Sequence, residues 1–243
     1  MDQVVDALRA AGCVFAEDEA SLLRQAGTGP ELDAMIARRV AGEPLETILG
    51  WVEFCGRRLS VAPGVFVPRR RTELLAELAR AAASHTAVEL CCGAAPIASM
   101  LAARRLFAVD IDPAAAVCAE RNAPAAIVLV GDLYAPLPRE LRGTTDLIAA
   151  NAPYVPTDAI ALMPPEARDH EPLHTLDGGT DGLDLHRRIV AEAPEWLCPG
   201  GTLLIETSEL QADETAAAMR SAGLTARIEC DVGRSATVAV GVR

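Results

Sequence analysis

At 243 residues the chain fits one large domain, or a core domain with a small appendage. Half of it is hydrophobic but aromatics make up only 3%, so its core has to be built from Ala, Val, Leu and Ile. A net charge of −12 argues against a protein that grips nucleic acid unaided, since such a surface is usually basic.

Residues 1–42 read as short helices. Val4, Val5 and Leu8, then Leu22 and Leu23, fall at helical spacing, with breaks at Gly12, Gly27 and Gly29-Pro30. A third helix over 31–40 ends at Gly42. Two short extended runs lie around Gly56, then the stretch 64–68, together a hairpin linker. Arg69, Arg70 and Arg71 form a local basic patch, read as a solvated face, with contact to an acidic partner surface as the alternative. The spacing predicts a helix over 71–83. From there strands and helices alternate. Apolar runs at 87–91, 106–110, 126–130, 146–150 and 202–206 read as buried parallel strands. Helices are predicted at about 96–104, 113–121, 183–197 and 210–222. The last two runs, 225–231 and 236–242, have no helix between them and read as an antiparallel hairpin. The whole predicts an α/β fold: a doubly wound, mostly parallel seven-stranded sheet with a terminal antiparallel hairpin, plus a small N-terminal helical domain. The segment 155–182 shows no clear element, and a loop of that length is usually functional.

Seven cysteines, an odd number without a Cys-x-x-Cys pair, read as reduced thiols. The start, Met1-Asp-Gln-Val-Val-Asp6, lacks the pattern of a signal peptide, and no apolar run is long enough for a membrane span. A cytoplasmic protein is expected.

Asn151-Ala152-Pro153-Tyr154 directly succeeds the apolar run 146–150. That places an amide side chain and free backbone carbonyls at the C-terminal edge of a buried strand, where open α/β sheets bind ligands. An Asn oxygen and nearby carbonyls suit the two hydrogens of an NH2 group, and a Tyr ring packs on its plane. The alternative is a polar turn with Pro153 as punctuation. Cys91-Cys92-Gly93-Ala94-Ala95 joins the first sheet strand to the helix predicted at 96–104, and Gly93 permits close approach of a nucleotide-type ligand. Asp110 ends the second strand, where a carboxylate accepts from both ribose hydroxyls; Asp112 before Pro113 suits a helix cap. Asp132-Leu133 ends the third, bordering an adenine edge or simply turning the chain. His170 and His174 have an i, i+4 spacing that invites a metal reading, but Pro172 between them argues against one helix face.

Taken in order, these strand tips make the chain resemble the class I S-adenosylmethionine-dependent methyltransferases. Within them it is most similar to the HemK/PrmC family of protein N5-glutamine methyltransferases, which modify the Gln of the Gly-Gly-Gln loop in peptide-chain release factors. The stretch 43–50 with Glu53-Phe54, the run Phe66-Val-Pro-Arg-Arg-Arg-Thr-Glu73, Asn151–Tyr154, Glu171-Pro172, Gly200-Gly201, Glu206 and the closing 238–241 carry the resemblance. It implies S-adenosylmethionine as cofactor, with Cys91, Cys92, Gly93, Ala94 and Ala95 around its methionine part, Asp110 on the ribose, Asp132 and Leu133 at the adenine, and Asn151 close by. It implies that Asn151 and the carbonyl of Ala152 accept from the substrate amide, with Pro153 between them and Tyr154, and that Tyr154 packs on the amide plane. The implied domains are 1–50 for substrate docking, 51–70 as linker and 71–243 for the chemistry. The implied partner is a release factor or another protein substrate, met by a monomer with no membrane or direct nucleic-acid contact. Cys91 and Ala95 stand where family members usually carry Gly, and Ala152 replaces the first Pro of Asn-Pro-Pro-Tyr. The alternatives are a methyltransferase for a small-molecule or nucleobase amine, and a degenerate member acting only as a binding partner.

Overall fold

Four helices open the chain. They are α1 (Gln3–Ala10), α2 (Ala16–Ala26), α3 (Pro30–Val40) and α4 (Leu45–Leu49), seen in a computed structural model that describes residues 2–82 and 85–243. Asp2 caps α1 by accepting from the backbone N–H groups of Val4 and Val5, so one side chain satisfies two orphan donors. Leu8, Ala16, Ala20, Leu23 and Ile48 close this bundle around its own small core. Apolar spacing does not predict the fourth helix. It is a single turn that ends where Gly50 turns left-handed at φ 77°.

A two-stranded hairpin comes next, β1 (Trp51–Phe54) against β2 (Arg57–Ser60), and α5 (Thr72–Ala82) leads into the main sheet. The expected end of α5 at Ala83 lies outside the described residues, as does Met1. The sheet contains β3 (Thr86–Leu90), β4 (Arg105–Asp110), β5 (Ile127–Val130), β6 (Thr145–Ala150), β7 (Leu197–Thr207), β8 (Thr225–Asp231) and β9 (Ala236–Val242). Their order is β5-β4-β3-β6-β7-β9-β8, with β9 antiparallel to both of its neighbours and the other pairings parallel. The expected seven strands and terminal hairpin are therefore present.

A period of two along the central strands sorts the core into layers. Ala87, Leu106, Ala108, Leu147 and Ala149 face α5 and α6 (Pro113–Asn122). Val88, Leu90, Phe107, Val109, Ile148 and Ala150 face α8 (Asp184–Trp196) and α9 (Ala212–Ser221). The α6 cap is Asp112, which accepts from Ala114 N–H at 2.8 Å, with Pro113 at the first helical position.

Two expectations need correction. The helix predicted at 96–104 is only a 3-10 turn over Ala98–Met100. The loop after β3 uses up the segment through Ile97, and the few residues left must return along the whole length of β4. Extended chain covers that distance and a helix, rising 1.5 Å per residue, does not. The segment 155–182 is not structureless. It holds 3-10 turns over Thr157–Leu162 and Leu173–Thr175, the helix α7 (Pro165–His170) and a bridge between Val155 and Asp177. Three of its four prolines sit just ahead of these turns, at 156, 164 and 172, and the fourth, Pro165, opens α7, which hid their periodicity. Among the described residues no helix is long and apolar enough to cross a membrane.

Candidate active site

The strand order reverses between β3 and β6, whose neighbours run outward in opposite directions. Ligands bind at such a point, outside the carboxyl ends of the strands. A cavity of about 500 Å³ opens there. Cys91, Cys92, Gly93 and Ala94 line it from the end of β3, Asp110 from β4, and Asp132 and Leu133 from the segment after β5. Asn151, Ala152, Pro153 and Tyr154 line it after β6. Ala95 does not reach the wall. It is buried below the loop, where its N–H donates to the Cys92 carbonyl at 2.7 Å.

The loop after β3 is held from underneath. Asp110 Oδ2 accepts from Gly93 N–H at 2.7 Å, and its Oδ1 accepts from Asp112 N–H at 2.9 Å. Each oxygen keeps a second lone pair for a ligand. Glu89, buried at the base of the loop, accepts from the N–H groups of Ile97 and Ala98 at 3.2 and 2.6 Å. Gly93 turns left-handed at φ 52°, and a Cβ there would meet no atom within 4 Å, so the backbone stands bare toward the cavity. Cys91 and Ala95 adopt the same handedness at φ 51° and 54°, which costs a residue with a Cβ on the order of 1 kcal/mol or more. Burial, with Asp110 next, pushes the Cys91 thiol far up, and burial does the same for Cys92. Both stay protonated and are poor nucleophiles. On the rim, Asp132 pairs with Arg188 at 2.6 Å.

Behind Asn151 and Tyr154 lies a polar cluster. Asn151 Nδ2 donates to Thr72 Oγ1 at 3.2 Å, leaving Oδ1 free of that bond. The Tyr154 hydroxyl donates to Glu206 Oε1 at 3.3 Å, and Arg71 Nε donates to the same oxygen at 3.1 Å. Burial, then the nearby Glu206 charge, push the Tyr154 phenol up, so it remains a donor. The backbone here is pinned as well. Gln211 Nε2 donates to the Tyr154 carbonyl at 3.0 Å, and a Cβ on Gly182 would lie 2.3 Å from that same carbonyl. Only glycine lets the cover come so close.

The basic patch stays open to solvent at Arg70 and Arg71, but it is tied to the site by ion pairs. Arg69 pairs with Glu171 and Arg71 with Glu206, both buried carboxylates, so two of the three arginines hold the site together. His170 and His174 form no metal cluster: among the described residues no group of three or more His, Cys, Asp or Glu is placed to hold an ion. Sequence spacing assigns Thr72 and Glu206 no task beyond the resemblance they help to carry. A carboxylate ending the apolar run Leu203-Leu-Ile-Glu206 is the signal that points to one of them.

No family model matches the chain. It is 42% identical over 189 residues to the release factor glutamine methyltransferase of Geobacter sulfurreducens, covering 74% of this chain and 66% of that protein. It is 38% identical over 199 residues to the release factor glutamine methyltransferase of Mycolicibacterium smegmatis, covering 78% and 70%. It is 34% identical over 231 residues to the 4-amino-L-phenylalanine/4-methylamino-L-phenylalanine methyltransferase of Streptomyces pristinaespiralis, covering 89% and 78%. The chain thus spans 66 to 78% of the length of these relatives. Among solved structures, a methyltransferase from Pyrococcus furiosus superposes with a TM-score of 0.57 at 16% identity, over 85% of this chain and 96% of that one, which supports the fold alone. With these relatives and this sheet, the chain belongs to the release factor glutamine methyltransferase (HemK/PrmC) family of class I S-adenosylmethionine-dependent methyltransferases.

Proposed function

We propose that the protein transfers a methyl group to the side-chain amide nitrogen of a glutamine, in the Gly-Gly-Gln loop of a peptide-chain release factor. The observation that carries this reading is Asn151, whose Nδ2 is engaged behind it by Thr72 while Oδ1 is left for an N–H at the cavity. The relatives named for this activity support it.

The cavity suits S-adenosylmethionine. Bare backbone at Gly93 and the two-oxygen acceptor of Asp110 match a methionine tail and a ribose diol, with Asp132 and Leu133 beside the base. When bound, the cofactor supplies an electrophilic methyl on a sulfonium. The protein's own residues prepare the acceptor. An amide nitrogen is a weak nucleophile because its lone pair is shared with the carbonyl. Asn151 Oδ1 and the Ala152 carbonyl accept from its two hydrogens, which orients the nitrogen and favours the positive charge that builds as the bond forms. Tyr154 packs on the amide plane and holds it in line. We propose further that residues 1–50 dock the protein substrate and 51–70 link that unit to the catalytic domain 71–243.

A second reading is methylation of a small aromatic amine. The match to the aminophenylalanine methyltransferase, which spans the greatest share of the chain among the three relatives described, favours it. Labelled S-adenosylmethionine offered with a release factor and, separately, with 4-amino-L-phenylalanine separates the two. Methyl incorporation into the release factor at the Gly-Gly-Gln glutamine, abolished in Asn151→Ala, is the expected result. Incorporation into the free amino acid alone would replace the first reading with the second. Incorporation into neither, by a folded protein that fails to bind the cofactor, would favour a binding partner without activity.

A further inference from the structure

The two ends of a carboxamide have nearly the same shape and opposite hydrogen-bonding sense. Methyl transfer to an amide nitrogen needs one orientation of Asn151, with Oδ1 toward the acceptor and Nδ2 away. The Asn side chain does not enforce this by itself, and the group it touches does not either. Nδ2 donates to Thr72 Oγ1 at 3.2 Å, but a hydroxyl would serve a flipped amide as well by donating to Oδ1.

The next group breaks the tie. Thr72 is fully buried, so its hydroxyl hydrogen has no bulk water to turn to. Glu206, at 1% exposure near the end of β7, lies close enough to Thr72 for that side chain to oppose the upward shift that burial gives its carboxyl. Its Oε1 accepts from Arg71 and Tyr154. Among the described residues its Oε2 is buried and has no hydrogen-bond partner, so it is the acceptor the Thr72 hydrogen can turn to. An ionised carboxylate can only accept. Once it holds the Thr72 hydrogen, the Thr72 oxygen is left to accept, and Asn151 must present its NH2 there.

We propose that Glu206 and Thr72 form a polarity relay that locks the Asn151 amide with Oδ1 toward the acceptor nitrogen. The inference rests on the acceptor role proposed for Asn151. Glu206 and Thr72 are positioning residues, acting through Asn151 rather than on the substrate. Glu206 also holds the Tyr154 hydroxyl, so one buried carboxylate orients both residues of the acceptor side.

The relay has a pH dependence of known sign. Protonated Glu206 can donate as well as accept, which frees the Thr72 hydrogen to meet a flipped amide. Burial holds the Glu206 pKa above the ordinary carboxylate range, against Thr72, Arg71 and Tyr154, which favour the charge. Arg71 in turn senses Glu171, and Tyr154 senses Arg69; across the sheet the register partner of Glu206 is Val238, which carries no charge. Activity should therefore fall as pH drops through the raised Glu206 pKa.

The test uses the full chain with Thr72→Val, Thr72→Ser and Glu206→Gln, in two arms. In the first, the side-chain amide of Asn151, assigned by its loss in Asn151→Asp, is tracked by nitrogen-15 NMR without substrate. Slow NH2 exchange is expected in the wild type and Thr72→Ser, and fast exchange in Thr72→Val. A pH titration of the signal should be present in the wild type and absent in Glu206→Gln. In the second, kcat is measured at saturating S-adenosylmethionine with whichever acceptor the wild type methylates. Thr72→Val should lose roughly 10- to 100-fold in kcat, Thr72→Ser should stay within about threefold, and Glu206→Gln should lose the acid limb. Cofactor affinity by calorimetry should be unchanged in all three. An Asn151 amide that exchanges alike in the wild type and Thr72→Val overturns the relay, as does a Thr72→Ser enzyme as slow as Thr72→Val. A protected amide in an Asn151→Ala-insensitive enzyme would instead overturn the acceptor role of Asn151.

Discussion

Arg69 meets Glu171 in an ion pair that joins the segment ahead of α5 to the cover over the cavity. The Glu171 side chain is 2% exposed and the Arg69 side chain 32%, so the carboxylate depends on this cation for its charge. Burial raises the Glu171 pKa and Arg69 pulls it back down. Removing the arginine leaves a buried carboxylate without its counter-ion, and that is costlier than losing a surface pair. Arg69→Ala should destabilise the protein by about 1–3 kcal/mol in denaturant unfolding. Faster amide exchange over 155–182, with a higher acceptor KM and a smaller change in kcat, should accompany it. Unchanged exchange in that segment would show that the pair does not hold the cover.

Ala95 carries a strain that glycine would relieve. Its φ of 54° is left-handed, and its side chain is buried below the loop after β3 rather than in the cavity. Ala95→Gly should raise stability by roughly 0.5–1 kcal/mol, the left-handed strain outweighing the added freedom of the unfolded chain. Ala95→Val should lower it, because a β-branched residue fits that backbone worse and no space surrounds the site. Thermal unfolding of both variants reads the difference. A melting temperature that falls in Ala95→Gly would mean that the methyl group's packing matters more than the strain.

The central strands could be read before the structure because each is a short run rich in Ala, Val, Leu and Ile, although the run at 126–130, expected to be buried, forms the edge strand β5 with Ile127 and Val130 exposed. The C-terminal ends of these runs brought Asp110, Asp132 and Asn151 to one rim. What could not be read depends on partners far apart in the chain. Arg69 and Arg71 look like a solvated patch until Glu171 and Glu206 arrive from the cover and from β7. Thr72 reads as an ordinary helix start, and only folding sets it behind Asn151. The helix expected at 96–104 failed for a local reason of length, which spacing alone does not reveal.

Asp110 uses both oxygens, one to tie the loop after β3 and one to turn its own chain after β4, and this makes an amide a poor replacement. Its two acceptors face Gly93 N–H and Asp112 N–H. In Asp110→Asn one of these would meet an NH2 group, so a donor would face a donor. Cofactor affinity should drop roughly 10- to 100-fold, by the loss of one charge-assisted bond and one loop anchor. Calorimetric titration checks the value. Asp110→Glu should not restore it, since the extra methylene moves the carboxylate off both donors.

His186 makes stability fall in acid. It is 1% exposed on α8, and its Nδ1 lies 3.0 Å from Thr215 Oγ1 on α9. Thr215 already donates to the Gln211 carbonyl, so its oxygen accepts from the ring and Nδ1 carries the proton. That leaves Nε2 buried without a partner among the described residues, and a second proton there would be a buried charge. Burial accordingly pushes the His186 pKa down to about 4 from 6.5. Above about 6.5 neither the folded nor the unfolded chain is protonated at this residue, and it contributes no pH dependence. As pH falls from there to about 4 the unfolded chain takes a proton that the folded chain refuses. The loss should approach roughly 3 kcal/mol, at 1.36 kcal/mol for each pKa unit of difference. His186→Phe keeps a ring in the site and removes the titration. Unfolding free energies measured at pH 7.5 and pH 4.5 should therefore differ by less in the variant than in the wild type, other carboxylates titrating equally in both. An equal drop in the two proteins would mean that His186 is protonated in the fold, with water or movement of α9 supplying Nε2 with a partner.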